Sequence, residues 1–299
     1  MDRFGHAPNP GTLWSSLTAR TAHARDRGAI LSVPTTSERI EQGGVTFQVR
    51  ILATLARKVE ATVAQQSADP FLPYDPDLFV ADLSPTHVAL LNKFNVVDHH
   101  LLIVTRAFEE QESPLTGRDC EALLSCLAGI DGLGFYNAGP AAGASQRHKH
   151  LQLIPLSDST GPRVPIEPLL RSARLNGVTG VVPGLPFLHM YASMDRSWLE
   201  RPAESAGEFL ARYRTMLQAV GLTVEATPEG RERTGPYNLL VTRQWLLLVP
   251  RSEECFEGIS INALGFAGAL LVKDAVQCEL LRRRGPMTAL QEVALPKPV

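Results

Sequence analysis

Three polar side chains recur at every second position within residues 139–155, GPAAGASQRHKHLQLIP. A period of two predicts a β-strand, on which successive side chains point to opposite faces. His148, His150 and Gln152 therefore share one face, and Lys149 points to the other. The pattern aims three hydrogen-bonding groups at a single place.

An imidazole suits nucleophilic attack on phosphorus, because its ordinary pKa leaves a large neutral fraction at physiological pH. Attack by His150 would form a covalent N–P bond, which keeps much of the transfer potential of a phosphoanhydride and suits transfer to another phosphate. The neighbouring His148 would fix the orientation and tautomer of the attacking ring. Gln152 could donate a hydrogen bond but no proton, which is adequate for a polyphosphate leaving group, since it departs without a general acid.

The residues before this strand have very small side chains. Gly143, Ala144, Ser145 and Gln146 form a segment whose backbone N–H groups could approach an anion closely. A phosphate-binding loop would then lie directly before the proposed nucleophile.

Less specific interpretations of the same residues stay open at this point. A Gly-rich segment before a strand is often only a turn, and paired histidines can be satisfied members of a core. A His-x-His pair on a strand also suits zinc, which would need a third ligand such as His99, His100 or His189. The loop, both histidines and Gln152 together are more specific than any one of them, and they favour phosphoryl chemistry without a bound metal.

The composition is that of a globular protein: of 299 residues, 44% are hydrophobic and 20% are charged. This length suggests about two domains. No apolar run approaches the roughly 20 residues of a membrane helix, and no signal-peptide pattern is visible, so we expect a cytoplasmic protein. A net charge of −2 gives no general attraction for nucleic acid. Any anionic ligand must therefore be held by a local site.

The elements around the motif predict an α+β fold, with helices packed on a sheet. Helices are predicted at residues 84–93, opened by a serine cap, and from Thr116, where apolar residues have helical spacing. The first 40 residues are polar and give no confident element, and residues 65–76 are predicted to be a loop. Strands are predicted at residues 45–55, around Asn95, and at 101–105, 133–137 and 148–156.

A second module is predicted after residue 195, which divides the chain into residues 1–195 and 196–299. Residues 205–208 fit a capping box that opens an apolar helical stripe. Residues 238–251 then repeat the pattern of residues 95–106, two strands ending LL-x-V-x-R. The repeat indicates either an internal duplication or a chance match of two apolar hairpins. No histidine pair follows the second copy, so a duplicated fold would have kept one active site.

The string NAGPAAGASQRHKHLQ, which begins at Asn137, resembles the active-site signature of diadenosine tetraphosphate phosphorylases, also called ATP adenylyltransferases, in the transferase branch of the histidine-triad superfamily. LNKFNVVDHHLLIVTRAFEEQ from Leu91, YNLLVTRQWLLLVPRS from Tyr237 and SINALGFAGALLVK from Ser260 are similar to the same family. The resemblance covers most of the chain from about residue 45, but little of residues 1–40 and 157–235.

This resemblance implies a mostly antiparallel, histidine-triad-like fold and a reversible reaction, in which phosphate splits diadenosine tetraphosphate into ATP and ADP through an adenylyl-histidine. Because no credible third metal ligand accompanies His148 and His150 in the sequence, we expect no tightly bound cofactor, and a divalent cation would act, if at all, on the substrate phosphates. By matching positions, His150 corresponds to the nucleophile, with His148 and Gln152 as its supporting groups. The matched binding positions are Asn137, Gly143, Ala144, Ser145 and Gln146 in the loop, and Lys58 and Lys273 as basic contacts.

Two departures and three other classes accompany the resemblance. Asp98-His99-His100 stands where the family pattern has a single histidine, and the N-terminal segment is short. Histidine-triad hydrolases have a third histidine where this chain has Gln152, and hexose-1-phosphate uridylyltransferases share H-x-H-x-Q but have HPH. A nucleotide-binding protein without turnover is the non-enzymatic alternative, against which an intact His150 argues.

Overall fold

The computed structural model describes residues 10–53, 69–156, 162–226 and 232–298. Lys58 lies outside these ranges, as do parts of the predicted strand at 45–55 and of the predicted loop at 65–76. The helices in the described ranges are α1 (Pro10–Asp26), α2 (Gly117–Gly129), α3 (Glu167–Leu170), α4 (Pro202–Ala219), α5 (Ala263–Phe266), α6 (Ala275–Arg284) and α7 (Pro286–Val293).

The strands of the first half are β1 (Thr35–Gln42), β2 (Val45–Leu52), β3 (Phe79–Asp82), β4 (His87–Leu91), β5 (Leu101–Thr105), β6 (Gly132–Ala138) and β7 (His150–Pro155). Those that follow are β8 (Arg174–Asn176), β9 (Thr179–Val181), β10 (Met190–Ser193), β11 (Glu225–Ala226), β12 (Glu232–Arg233), β13 (Tyr237–Val241), β14 (Trp245–Pro250), β15 (Cys255–Phe256), β16 (Ile259–Ser260) and β17 (Ala269–Val272).

Ten strands form one sheet in the order β3-β4-β5-β7-β6-β13-β14-β10-β9-β8. Every neighbouring pair in it is antiparallel. β6 pairs with β13, so the sheet runs without interruption from the first half of the chain into the second. A smaller sheet contains β1, β2 and β17, with β17 parallel to β2. The prediction of an α+β fold with a mostly antiparallel sheet is confirmed.

Two hydrophobic cores cover opposite faces of the ten-stranded sheet. On one face α1, α2 and α4 pack against strand residues such as Leu151. On the other face the smaller sheet and α5, α6 and α7 pack against residues such as Phe135. Phe135 is opposite Gln152 in the pairing of β6 with β7. Because side chains alternate along a strand, His150 and Gln152 face the second side.

Residues 84–93, where the sequence predicts a helix, form a turn followed by β4. Ser84 Oγ accepts the backbone N–H groups of Thr86 at 3.2 Å and His87 at 3.1 Å, which closes a turn. All five residues of β4 are buried. A strand covered on both faces has no polar alternation, and a short apolar run of this kind cannot be distinguished from a helix by its period. The helix prediction is wrong for this reason.

The strand predicted around Asn95 is also wrong. Asn95 donates a side-chain hydrogen bond to Val97 O at 3.0 Å and accepts one from Ser32 Oγ at 2.8 Å. These bonds hold a loop that joins β4 to β5. The first of the two paired strands is therefore β4, which ends at Leu91, before Asn95. The corresponding pair of the second half, β13 and β14, is confirmed as a hairpin.

The first 40 residues contain α1 and β1, which the sequence does not reveal. The buried apolar side chains of α1 include Leu13, Leu17 and Ala24, and the rest of its surface is largely polar. This face is too sparse to give a continuous apolar stripe. β2 ends at Leu52, within the strand predicted at residues 45–55.

Two predicted helix starts have different outcomes. Thr116 and Asp119 form a capping box that opens α2, as the Thr116 start predicts. The capping box predicted at residues 205–208 is wrong, because α4 begins at Pro202 and Ser205 N–H already donates to Arg201 O at 3.0 Å. The predicted stripe is confirmed, and the buried side chains of α4 are Ala206, Phe209, Tyr213, Met216 and Leu217.

Across the described ranges, no helix combines the length and apolar character needed to cross a bilayer. The division of the chain at residues 195 and 196 stays a prediction. β10 precedes that point and pairs with β14, which follows it.

Candidate active site

His150 is the first residue of β7, and two hydrogen bonds fix its position. Its backbone N–H donates to Gln111 Oε1 at 2.8 Å, and its ring Nδ1 donates to His148 O at 2.8 Å. A carbonyl oxygen only accepts, so Nδ1 carries the proton and Nε2 presents a lone pair. Burial lowers the pKa of His150 to about 4. The ring is therefore neutral at physiological pH and suited to nucleophilic attack.

His148 is held on both sides of its ring. Nδ1 lies 2.8 Å from the Asp69 carboxylate, and Nε2 lies 2.8 Å from Thr105 O and 3.0 Å from Thr105 Oγ1. Phe71 and Phe108 contact the ring edge-on, with centroids at 5.8 and 5.4 Å. The backbone carbonyl of His148, and not its imidazole, fixes the tautomer of the His150 ring, while the predicted supporting role of the His148 side chain stays a prediction.

Gln152 is oriented by His100. His100 Nε2 donates to Gln152 Oε1 at 2.9 Å, and Asn92 Nδ2 donates to His100 Nδ1 at 3.2 Å. Burial lowers the pKa of His100 to about 4, so this ring is neutral as well. Since the Gln152 oxygen is occupied, its NH2 group points away from His100 and can donate to a ligand on the sheet face shared with His150.

Gln111 is a site residue that sequence reasoning missed. Its Oε1 accepts the His150 N–H, and its Nε2 donates to Asn137 O at 2.9 Å and His150 O at 3.1 Å. The side-chain amide of Gln111 thus takes the place of direct backbone hydrogen bonds between β6 and β7 at the point where these strands separate. Gln111 ends the polar run EEQ, which looks like an exposed loop in the sequence. Its buried position depends on strands that are distant along the chain.

Asn137 lies close to His150 on the neighbouring strand. The pairing of β6 with β7 ends at Phe135 and Gln152, and beyond it Gln111 Nε2 bridges the backbone oxygens of Asn137 and His150. Asn137 Oδ1 accepts hydrogen bonds from Asn238 Nδ2 at 2.8 Å and from the Ala263 N–H at 2.9 Å. The predicted binding residue and the predicted nucleophile are therefore neighbours on the same face of the sheet.

The small-residue loop follows β6 through a short turn at Pro140–Ala142. Gly143 has φ +81°, and a Cβ there would lie 2.7 Å from Ile261 O, so only glycine fits this turn. A cavity of about 540 Å³ borders the loop, and its lining includes Gln111, Ala144, Ser145 and Gln146. Neither His148 nor His150 lines this cavity, although Gln111, which bonds to His150, does.

Lys149, between the two histidines, points to the opposite face as predicted. Its ammonium group is fully buried and donates to Asp119 Oδ2 at 2.8 Å and Pro114 O at 2.9 Å. Asp119 also accepts from His87 Nε2 at 3.0 Å. Burial alone would raise the pKa of Asp119, but His87 and Lys149 together hold that pKa well below its usual value. A buried ionic cluster therefore joins the start of β7 to the start of α2.

The two predicted lysine contacts are not brought to the histidines by the described structure. Lys58 lies outside the described ranges. Lys273 is exposed at the end of β17, where its backbone N–H donates to Gln277 Oε1 at 2.8 Å. β17 belongs to the smaller sheet, and within the described part of the chain no ion pair or hydrogen bond joins Lys273 to the histidine site. Its role as a phosphate contact stays a prediction.

The remaining candidate zinc ligands have other partners. His99 bonds to Thr21 Oγ1 through Nδ1 at 2.9 Å, and His100 is the partner of Gln152. His189 donates from Nδ1 to Phe187 O and accepts the Val182 N–H at Nε2, both at 2.8 Å. In the described ranges, no group of three His, Cys, Asp or Glu side chains is arranged to hold a metal ion.

Comparisons with known proteins match nearly the whole chain. Residues 5–172 match the family model of the Ap4A phosphorylase N-terminal domain, and residues 183–296 match that of the ATP adenylyltransferase C-terminal domain. The first match begins at residue 5, forty residues before the resemblance visible in the sequence.

Relatives with known names agree with these matches. Diadenosine 5′,5‴-P1,P4-tetraphosphate phosphorylase 2 of Saccharomyces cerevisiae is 31% identical, with 86% of each chain covered. The crystal structure of yeast Ap4A phosphorylase Apa2 is similar with a TM-score of 0.78 at 26% identity, covering 99% of this chain and 97% of that one. The complex of Apa2 with AMP gives a TM-score of 0.72 at 25% identity, covering 96% and 99%. Since the first family model spans more than half of the chain, the chain belongs to the Ap4A phosphorylase family.

Proposed function

We propose that this chain is an Ap4A phosphorylase, which uses phosphate to split diadenosine tetraphosphate reversibly into ATP and ADP through an adenylyl group on His150. Family membership and the activity named for the S. cerevisiae relative support the substrate class. The observation that carries the mechanism is the state of His150, whose Nδ1 is tied to His148 O while Nε2 keeps its lone pair.

The first step forms a bond between His150 Nε2 and the α-phosphorus of the dinucleotide. The bond from that phosphorus to the bridging oxygen breaks, and ATP leaves with the electron pair. In the second step an oxygen of inorganic phosphate attacks the same phosphorus, the N–P bond breaks, and ADP forms. Each step exchanges one bond to phosphorus, so the nucleophile is regenerated without net proton gain by the ring.

The groups around His150 would stabilise the charge that develops on the phosphoryl oxygens. The NH2 groups of Gln152 and Asn137 lie on the same face. The backbone N–H groups of Ser145 and Gln146 offer further donors, since those of Gly143 and Ala144 already donate to Pro140 O and Gly139 O. Gln152 donates no proton, which is compatible with ATP as the leaving group in the first step. Lys58 and Lys273 remain proposed contacts to the more distant phosphates.

Two further parts of the proposal concern the surroundings of the reaction. A divalent cation, where one is needed, would bind the phosphates of the substrate and not a protein site. The partners are then the dinucleotide, ATP, ADP and phosphate. Since these are free nucleotides, we propose the cytoplasm as the location, which fractionation of the source cells would check.

A product assay with diadenosine tetraphosphate tests the proposal. With phosphate present we expect equal amounts of ATP and ADP. Without phosphate we expect one equivalent of ATP and an acid-labile, base-stable AMP label on His150. H150A should lose both the label and turnover, because nothing replaces the nucleophile.

Two results would overturn this assignment. Equal rates of ATP and AMP formation without phosphate would indicate a hydrolase. Peptide mapping that places AMP on His148, His100 or His189 would remove His150 from the mechanism. H189Q is the matched control for H150A, because His189 is also a buried neutral histidine but its Nε2 is already occupied.

A further inference from the structure

Arg251, a fully buried arginine of the second half, forms a hydrogen bond with Asn238, which in turn bonds to Asn137 in the candidate active site. Arg251 is 2% exposed and lies directly after β14. Its guanidinium donates to Asn238 Oδ1 at 2.6 Å, to Ile261 O at 2.8 Å, and to the carbonyl oxygens of Glu253 and Val293 at 2.7 and 3.1 Å. Within the described ranges it forms no salt bridge with a carboxylate. A buried cation without an ion partner is costly to retain, which calls for a specific role.

The bond from Arg251 fixes the orientation of the Asn238 amide. A guanidinium has only donors, so it must face the Asn238 oxygen and not the NH2 group. The Asn238 NH2 group then points to the other side, where it donates to Asn137 Oδ1 and to Ala142 O, both at 2.8 Å. A flipped Asn238 would lose all three of these hydrogen bonds.

Asn238 in turn fixes the orientation of Asn137. The Asn137 oxygen accepts both Asn238 Nδ2 and the Ala263 N–H, so its own NH2 group must point elsewhere. Asn137 and Asn238 are direct partners in the pairing of β6 with β13, and Gln111 Nε2 bridges the backbone oxygens of Asn137 and His150. The chain of donors therefore runs from the second half of the molecule to the face that carries the nucleophile.

We propose that Arg251 and Asn238 are positioning residues, which hold the Asn137 amide so that its NH2 group donates to the phosphoryl oxygens of the adenylyl group transferred to His150. This rests on the function proposed above and extends it. The second half, which has no histidine pair, thereby takes part in catalysis through the orientation of one side chain. The Asn238 bond to Ala142 O also ties the start of the small-residue loop to the same network.

N238D is the sharpest test, because it keeps the size of the side chain and its bond to Arg251. The change replaces the donor that faces Asn137 with an acceptor, so the Asn137 amide is expected to rotate. We expect the rate of His150 adenylylation and kcat to fall roughly 10- to 100-fold, with a much smaller change in KM, since the lost interaction strengthens in the transition state.

A double-mutant cycle shows whether Asn238 acts through Asn137. In the N137A background, N238D should cause no further loss of adenylylation rate, because the group that it orients is absent. Y213F is the control, since it removes a buried 2.5 Å hydrogen bond to Tyr237 on the opposite face of β13. Y213F should lower the melting temperature and leave the labelling rate within about twofold. If N238D does not fold, R251K provides the same test.

Full-rate labelling in N238D, or a loss in N238D/N137A equal to the product of the two single losses, would overturn the positioning role. Those outcomes leave the proposed function intact if the native chain is labelled. Absence of AMP labelling in the native chain would instead remove the proposed function, and this inference with it.

Discussion

At the scale of single residues, three effects set the pKa of His150. Burial lowers this pKa most, the hydrogen bond from Nδ1 to His148 O raises it, and the electrostatic influence of His148 lowers it further. The resulting pKa is about 4. The ring is then almost entirely neutral over the physiological pH range, whereas a histidine with an ordinary pKa is partly protonated at its lower end.

The pH dependence of the first step follows from this value. We expect the rate of AMP labelling to be constant from pH 8 down to about 5 and to fall only as the pH approaches about 4, because the protonated ring has no lone pair at Nε2. Single-turnover labelling after a rapid pH jump measures this step without the titration of the acceptor phosphate. A midpoint near the ordinary histidine value would show that the ring is solvated in the enzyme.

At the scale of elements, the two faces of β7 have separate tasks. One face presents His150 and Gln152, and the other anchors the strand through Lys149 to Asp119 at the start of α2. A lysine inside a core is retained only when it is paired and hydrogen-bonded. The cluster therefore restricts how far the start of β7 can shift relative to α2.

Replacing Lys149 with methionine should show how much that cluster contributes to the free energy of unfolding. K149M removes the ammonium group beside the buried Asp119 carboxylate and leaves the hydrogen bond from His87, so we expect the free energy of unfolding to fall by about 3 kcal/mol. D119N in the same chain should restore part of it, because the uncompensated charge is removed. Urea denaturation measures these differences. The control is K93M, an exposed lysine, which should change the free energy by less than about 0.5 kcal/mol.

The loop before β7 allows a matched pair of glycine substitutions. Gly143 and Gly177 both have positive φ, +81° and +68°, but only at Gly143 does a Cβ meet backbone atoms, 2.7 Å from Ile261 O. G143A should therefore displace the loop, raise KM for the dinucleotide several-fold and destabilise the protein by roughly 2 kcal/mol. G177A should cost about 1 kcal/mol and leave KM unchanged. Equal kinetics for both variants would show that the loop does not hold phosphate.

At the scale of the whole molecule, one continuous sheet joins two halves that contribute unequally. The first half provides His150, the proposed nucleophile, and β13 provides the strand next to β6, with Asn238 opposite Asn137. Helices cover one face, while the smaller sheet with its own helices covers the other. His150, Gln152 and Asn137 lie on the second face.

Buried neutral histidines make the stability of this molecule sensitive to acid. Burial lowers the pKa of His100, His150 and His189 to about 4 each, whereas in the unfolded chain they are near 6.5. As the pH falls below about 6.5 the unfolded state binds protons first, so stability is complete above that pH and is lost as the pH falls toward 4. The free energy of unfolding then falls by up to about 1.4 kcal/mol per pH unit for each histidine.

Urea denaturation at pH 7.5, 6 and 5 checks this expectation. H189Q should flatten the dependence by about one third, without affecting His150. Carboxylates with lowered pKa values, such as Asp119, affect stability only at still lower pH. A free energy of unfolding that stays constant between pH 7.5 and 5 would contradict the assignment of three buried neutral rings.

The sequence predicts the groups of the candidate site better than their surroundings. His150 and Gln152 lie two residues apart on β7, so the period of a strand suffices to align them, and His148 lies just before this strand in an isolated bridge with Glu110. Asp69 and Gln111 reach the site from loops, and their roles depend on contacts between distant segments that no local pattern records. The same limit explains β4, whose buried apolar run has no period of its own, and α1, whose buried face is too sparse to recognise.

His189 repeats the local geometry of His150, with Nδ1 donating to the carbonyl oxygen two residues earlier. The difference is one backbone amide, the Val182 N–H, which occupies His189 Nε2. Whether either histidine reacts with an electrophile of any kind then depends on the group that faces Nε2. It does not depend on the hydrogen bond that Nδ1 donates, because both rings have it. A small acylating reagent should modify His150 and spare His189 in the folded protein, because the Val182 N–H occupies the lone pair of His189 Nε2.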